Sequence, residues 1–250
     1  LVSNDPAYVD SNGKQGFYAR GLEIVECNNI NVENNNISNC IVGAILVTNV
    51  GDNKKNIINK NTIQKTNRGN VNTNLDASIL LRNNIDGYIS ISNNTIRDNF
   101  FNPNQTNNCD GIKFCVNRGA DYSGEDAFID NVAGSSDVPV MFTGEIVKNR
   151  VLNLGGSADG IDLNVGNNGT VFINVMNNTV VDVGDEGLTL DTFGPKIKMN
   201  GLFSGNYFSN SGSKGARKDK DGNLDEDGST DGMSFTLGEL IKETTFKNDK

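Results

Sequence analysis

The stretch GIDLNVGNNGTVFINVMNNTV, from Gly160 to Val180, holds the pattern that decides the fold. It opens on a small residue and an apolar–any–apolar phrase, Gly160-Ile161-Asp162-Leu163. It closes with Val175 three residues ahead of Asn178-Thr179-Val180. Both phrases recur along the chain. The closing one, Asn then any residue then an apolar one, returns at Asn35, Asn61, Asn94, Asn149 and Asn206, and at Thr244 with Thr in place of Asn. The apolar residue three places earlier is Val32, Ile58, Ile91, Ile146, Val175, Phe203 or Ile241. The opening phrase returns at Gly21, Gly43, Ala77, Gly111, Gly187 and Gly232. The two alternate strictly, and the Asn positions are spaced 26, 33, 55, 29, 28 and 38 residues apart.

Each phrase reads as a short strand with alternate side chains turned inward. One repeat cannot bury that face alone. Repeats stacked ~4.8 Å apart bury a continuous column of Ile, Val, Leu and Phe. The expected fold is therefore all-β: a right-handed parallel β-helix of about seven coils, in one domain spanning 1–250. The recurring Asn is placed to bond its counterparts above and below as an amide ladder. The recurring Gly is expected to supply positive φ at the other bend. A solenoid with a helix in each repeat is disfavoured by the pervasive Asn and β-branched residues.

Composition agrees. The chain has 250 residues, 36% hydrophobic and 7% aromatic, with no Trp. A net charge of −9 and a pI near 4.6 argue against nucleic acid as partner, which needs a basic footprint. No run approaches the ~18–20 apolar residues of a membrane span. There is no basic-then-apolar leader and no initiator Met, so the chain reads as a mature protein or a piece of a longer one. The four cysteines, Cys27, Cys40, Cys109 and Cys115, form no CxxC pair, and His is absent, so a zinc site is not expected. The cysteines fit either two extracellular disulfides or small buried hydrophobes.

The "N-N-T-I" and "D-G-I-x-L" phrases resemble the parallel β-helix repeats of the pectin-lyase-like superfamily, from about Gly16 to Phe246. The resemblance is specific for fold and poor for function. It implies a place among polysaccharide lyases, glycoside hydrolases, epimerases, phage tailspikes and surface adhesins. A lyase of this kind would carry Ca²⁺ or a basic group against the uronate, with a Lys or Arg base. Lys113 is the best-placed residue for that, with Arg82 and Arg118 as helpers. A hydrolase would carry paired Asp residues, often with His nearby. The lack of His removes every His-dependent mechanism, and no catalytic motif matches residue for residue.

The regular spacing breaks at insertions near 117–139 and 212–230, with shorter ones at 67–74 and 100–108. Loops on a rigid scaffold often carry function. No amphipathic cap is visible at the N-terminal end, and open solenoid ends expose apolar core and strand edges. A neighbouring domain or chain is the expected cover for them.

Three constellations carry chemistry. The first is a line of carboxylates before the small residue: Asp76, Asp110, Asp159, Glu186 and Asp231. Outward positions nearby add Lys113, Asp162 and Asp191. Carboxylates so stacked repel unless a cation or proton intervenes. Asp159, Asp162, Glu186 and Lys113 are the candidate catalytic set, for acid–base work on a sugar or a Ca²⁺ site. Bend chemistry is the alternative for Asp-Gly, its carboxylate bonding local amides. Asp110, Asp191 and Tyr122 are candidates for glycan contact. The second constellation is the acidic loop around Asn223, Asp225, Asp227 and Asp231, whose alternating oxygen ligands and Gly228 follow calcium-loop logic. Its twelfth position is Ser234 instead of Glu, and flanking helices are absent, so an acidic surface loop is the alternative. The third is the outward face, where Tyr8, Tyr18, Tyr88, Tyr122 and Tyr207 could stack on sugar rings.

Two functions follow as expectations. One is a secreted or cell-surface β-helix module, structural and adhesive, presenting a face to a polysaccharide or cell-surface glycan. The other is a polysaccharide lyase or glycoside hydrolase, with calcium as its only expected cofactor, working on coils four to six.

Overall fold

The computed structural model describes residues 8–9, 15–16, 20–40, 43–66, 76–99, 109–117, 138–156, 158–166, 168–192, 196–212 and 232–237. Among them every regular element is a β-strand. Apart from an antiparallel pair, Tyr8–Val9 with Gln15–Gly16, the strands form three sheets of purely parallel strands. Sheet one has seven: Leu22–Cys27, Ile45–Val50, Asp76–Asn83, Cys109–Val116, Ile161–Val165, Leu188–Thr192 and Met233–Leu237. Sheet two has six, from Asn31–Glu33 through Ile57–Asn59, Gly87–Ser92, Val140–Val147 and Gly169–Met176 to Lys198–Ser204. Sheet three has six short ones, from Asn36–Ser38 through Thr62–Gln64, Thr95–Arg97, Arg150–Leu152 and Thr179–Val181 to Tyr207–Ser209. The chain visits sheets one, two and three in turn and then returns one strand further along, the path of a parallel β-solenoid.

The inward columns follow the repeat. Val32, Ile58, Ile91, Ile146, Val175 and Phe203 stand in register in sheet two. Ile37, Ile63, Ile96, Val151, Val180 and Phe208 do so in sheet three. Together with two columns of sheet one they make a single continuous core. The amide ladder forms as expected. Each Asn Nδ2 donates to the Oδ1 of the next, from Asn35 through Asn61, Asn94, Asn149 and Asn178 to Asn206, at 2.9–3.1 Å. The same Oδ1 also accepts the backbone N–H of the preceding Asn. The sharp bend between sheets two and three is thereby satisfied without water.

Two expectations fail in detail. Positive φ falls on the residue just before each ladder Asn: Asn34, Lys60, Asn93, Lys148, Asn177 and Gly205. The glycines of the opening phrase serve contact. A Cβ at Gly160 would run into Val180 and the Gly187 carbonyl oxygen. The second failure is register. Leu22 pairs with Ile45, and Ile79 with Ile112, so the inward pairs are Ile45 with Val47 and Ile79 with Leu81. Leu46 and Leu80 point outward into a small second cluster with Ala77 and Cys115. Asp76 consequently sits beside Cys109, one residue off the carboxylate line.

None of the four cysteines forms a disulfide, and Cys40, Cys109 and Cys115 are buried, which fits the small-hydrophobe alternative. No helix among the described residues is long and apolar enough to cross a membrane.

Candidate functional site

The site lies where three strands of sheet one begin, at Cys109–Val116, Ile161–Val165 and Leu188–Thr192. An acid and a glycine stand at each start: Asp110-Gly111 within the first strand, and Asp159-Gly160 and Glu186-Gly187 just before the other two. Backbone bonds hold these starts together, Gly111 N–H to the Asp159 carbonyl and Gly160 N–H to that of Glu186. The carboxylates form a second ladder. Asp110 Oδ1 accepts the Asp159 N–H at 2.9 Å, and Asp159 Oδ1 accepts the Glu186 N–H at 3.1 Å. The line drawn from the sequence is thus present at these three residues, and its bend-chemistry alternative is realised at the same atoms.

Strand alternation then places Lys113, Asp162 and Thr189 in one outward column. Lys113 Nζ lies 2.7 Å from Asp162 and 3.1 Å from Asp110. The other Asp162 oxygen accepts from Asn164 Nδ2 at 2.6 Å. Outward does not mean open: Lys113, Asp162 and Asp110 keep 8%, 5% and 3% of their surface. Burial alone would pull the ammonium down, but the charges of Asp162 and Asp110 outweigh it and hold Lys113 well above its ordinary value. It is a fixed cation, with no free lone pair to act as base. Burial likewise raises Asp110 to about 6, against the opposing pull of Lys113.

Further along the ladder, Asp159 and Glu186 meet Asp185, with one carboxylate oxygen of each within 4.8 Å of the others. Burial, then the nearby Asp110, pushes Asp159 well above the usual carboxylate range. Burial, and contact with Asp185, brings Glu186 to about 7. Asp185 was not expected from the sequence, because it lies outside both repeated phrases. The signal available was a second carboxylate directly before the line.

Other expected residues are less concentrated. Asp191 pairs with Asn164 in the next outward column, which also holds Cys115 and Arg82. Tyr88 is buried and donates to Glu145 at 2.9 Å, so it offers no open stacking face. Tyr207 is exposed. Tyr18, Arg118, Tyr122, Asn223, Asp225, Asp227 and Asp231 lie outside the described residues, as does most of both long insertions.

The outward face of sheet two is open around Phe172. Phe172, 42% exposed, has Thr143 and Asn200 on the neighbouring strands and Thr170 and Asn174 on its own. Met141 and Leu202, also exposed, stand diagonally on either side of it.

Comparison with protein-family models, with curated proteins and with solved structures finds no match to this chain.

Proposed function

We propose that this chain is a secreted or cell-surface β-solenoid module, structural and adhesive, whose open strand face holds a polysaccharide or cell-surface glycan. The observation that carries the reading is the face of sheet two around Phe172. An exposed aromatic among hydroxyl and amide side chains, flanked by Met141 and Leu202, is the mixture a sugar ring uses: an apolar plane to cover and polar groups to bond. Lys113 supports the non-catalytic side of the reading. Ion-paired twice and buried, it is a poor base for lyase chemistry. The finer fold follows the same inference: right-handed winding, the hand of about 98% of parallel crossovers, in seven coils of the pectin-lyase-like kind. Residues of the seventh coil, Ile241 and Thr244 to Phe246, lie outside the described residues.

A second reading has its own support. Glu186, near 7 and beside Asp159 and Asp185, is poised as a general acid. It favours a polysaccharide lyase or glycoside hydrolase, with or without Ca²⁺, using Asp159, Asp162, Glu186 and Lys113. One experiment separates the two. The protein is incubated with a panel of acidic and neutral polysaccharides, with and without Ca²⁺, while binding, unsaturated products and reducing ends are followed. Binding without turnover, weakened about tenfold or more by Phe172→Ala, is the expected result. Turnover that Asp162→Ala or Glu186→Gln abolishes in a folded variant overturns the structural reading.

A further inference from the structure

Two side-chain ladders run along the molecule, and only one of them balances. In the amide ladder every interior member both accepts and donates; Asn94 takes the Asn61 amide on Oδ1 and gives Nδ2 to Asn149. In the carboxylate ladder Asp110 accepts from Asp159, and Asp159 from Glu186, but a carboxylate has no donor to return. At one end Lys113 supplies the missing positive charge, bridging Asp110 and Asp162. At the other stand Asp159, Asp185 and Glu186, their oxygens gathered within 4.8 Å. Among the described residues no Lys or Arg pairs with these three.

A second, independent observation concerns hydroxyls. Thr189 retains 9% of its surface, and its Oγ1 has no hydrogen-bond partner. It follows Glu186 by three residues, the spacing over which Lys113 reaches Asp110, and it stands in register with Asp162. The repeat thus sets a threonine at the register position that Lys113 holds two coils earlier. Ser211 Oγ is likewise shut from solvent without a partner. Its neighbour Gly212 donates its N–H to the Asp185 carbonyl.

We propose that Asp159, Asp185 and Glu186 bind one Ca²⁺-class divalent cation, with the Thr189 and Ser211 hydroxyls turned to the same ion, as a staple between successive coils. The donor set is all oxygen, and the chain has no His to favour a transition metal. Three carboxylates with neutral oxygens suit the loose, six-to-eight-fold shell of Ca²⁺ better than the strict octahedron of Mg²⁺. Asp159 precedes one strand of sheet one, Asp185 and Glu186 precede the next, and Ser211 follows the last strand of sheet three, so the ion would tie the bend across neighbouring coils. The site is separate from the acidic loop around Asp225, and it stands whether or not the protein binds glycans or turns them over.

The test uses the full chain carrying Asp225→Asn and Asp227→Asn, which silences that loop. Melting is followed in chelator and in about 10 mM CaCl2. An extracellular-type affinity near ~10⁻⁴ M gives a rise of about 5–10 °C. Asp159→Asn with Asp185→Asn should abolish the rise while leaving the melting point in chelator unchanged or higher, because the repulsion has gone. A merely damaged fold would melt lower in both conditions. Should that variant not fold, Thr189→Val serves instead: calorimetric Ca²⁺ affinity should fall severalfold with the melting point in chelator little changed. No rise in the parent, an equal rise in the Asn variant, or unchanged Ca²⁺ affinity in Thr189→Val overturns the proposal.

Discussion

Asn94→Ala is the sharpest test of what holds the coils in register. Asn94 Oδ1 accepts both the backbone N–H and the Nδ2 of Asn61, at 2.9 and 3.0 Å. Its Nδ2 donates to the Ile58 carbonyl and to Asn149 Oδ1, each at 3.0 Å. All four bonds are buried, so truncation admits no water to replace them. The Asn61 N–H loses its partner outright, at about 1–3 kcal/mol, and the other three bonds cost about 1 kcal/mol each or less, since their partners keep other contacts. The sum is roughly 3–5 kcal/mol. Asn35 is the contrast. It is exposed, makes its amide bonds to Glu33 and Asn61 at the ladder's end, and water takes over when it is removed. Asn35→Ala should cost no more than about 1 kcal/mol. Urea unfolding, followed by circular dichroism and by fluorescence of the five tyrosines, compares the two. Stacked repeats can unfold piecewise, so hydrogen exchange at the Asn61 amide gives the local reading, and its protection should drop in Asn94→Ala. Equal costs within about 0.5 kcal/mol, or unchanged protection of Asn61, would refute the ladder as a source of register.

Three more outcomes follow from the geometry. Lys113→Met strands two buried carboxylates and should cost about 3–5 kcal/mol at neutral pH; adding Asp110→Asn and Asp162→Asn should restore most of it, and a single variant within about 1 kcal/mol of the parent in urea would mean that the pair is solvated. Gly160→Ala should cost about 2–3 kcal/mol or more, because the new methyl meets Val180 and the Gly187 carbonyl, whereas Gly232→Ala, whose nearest contact is Phe208 at 3.6 Å, should be nearly neutral by thermal melting. Burial, then Glu145, pushes Tyr88 up to about 12, while the unfolded phenol titrates near ~10. The folded chain therefore holds this proton longer, and the stability it contributes is intact below about pH 10 and lost as pH rises towards 12. Melting of Tyr88→Phe should accordingly fall less between pH 9 and 11 than that of the parent; parallel curves would remove Tyr88 as the cause.

The inward columns were legible because their period is enforced by the core. Val32 to Phe203 must each fill the same place above a like residue, and Asn must stand where only an amide can both give and take. The register of sheet one at Gly43 and Ala77 was not legible. There the text reads Ala44-Ile45-Leu46-Val47 and Ser78-Ile79-Leu80-Leu81, nearly unbroken apolar runs that fit the repeated phrase in either frame. Such runs belong to strands covered on both faces. Leu46 and Leu80 were therefore the available clue that sheet one's outward side is shielded, and with it Lys113 and Asp162.

The same shielding decides how the carboxylates behave. On an open face, Asp110, Asp159 and Glu186 would be three solvated bend residues, and their spacing would carry little consequence. Withdrawn from water, each must be met by hydrogen bonds and by charge. Backbone amides answer the first need, one coil at a time. Lys113 answers the second for Asp110 and Asp162 only. Where the repeat replaces that lysine by Thr189 and adds Asp185, negative charge accumulates with no Lys or Arg paired to it among the described residues. A proton on Glu186 or an added cation has to make up the difference, and that imbalance, more than any resemblance in the repeats, marks these bends as the place to look for chemistry.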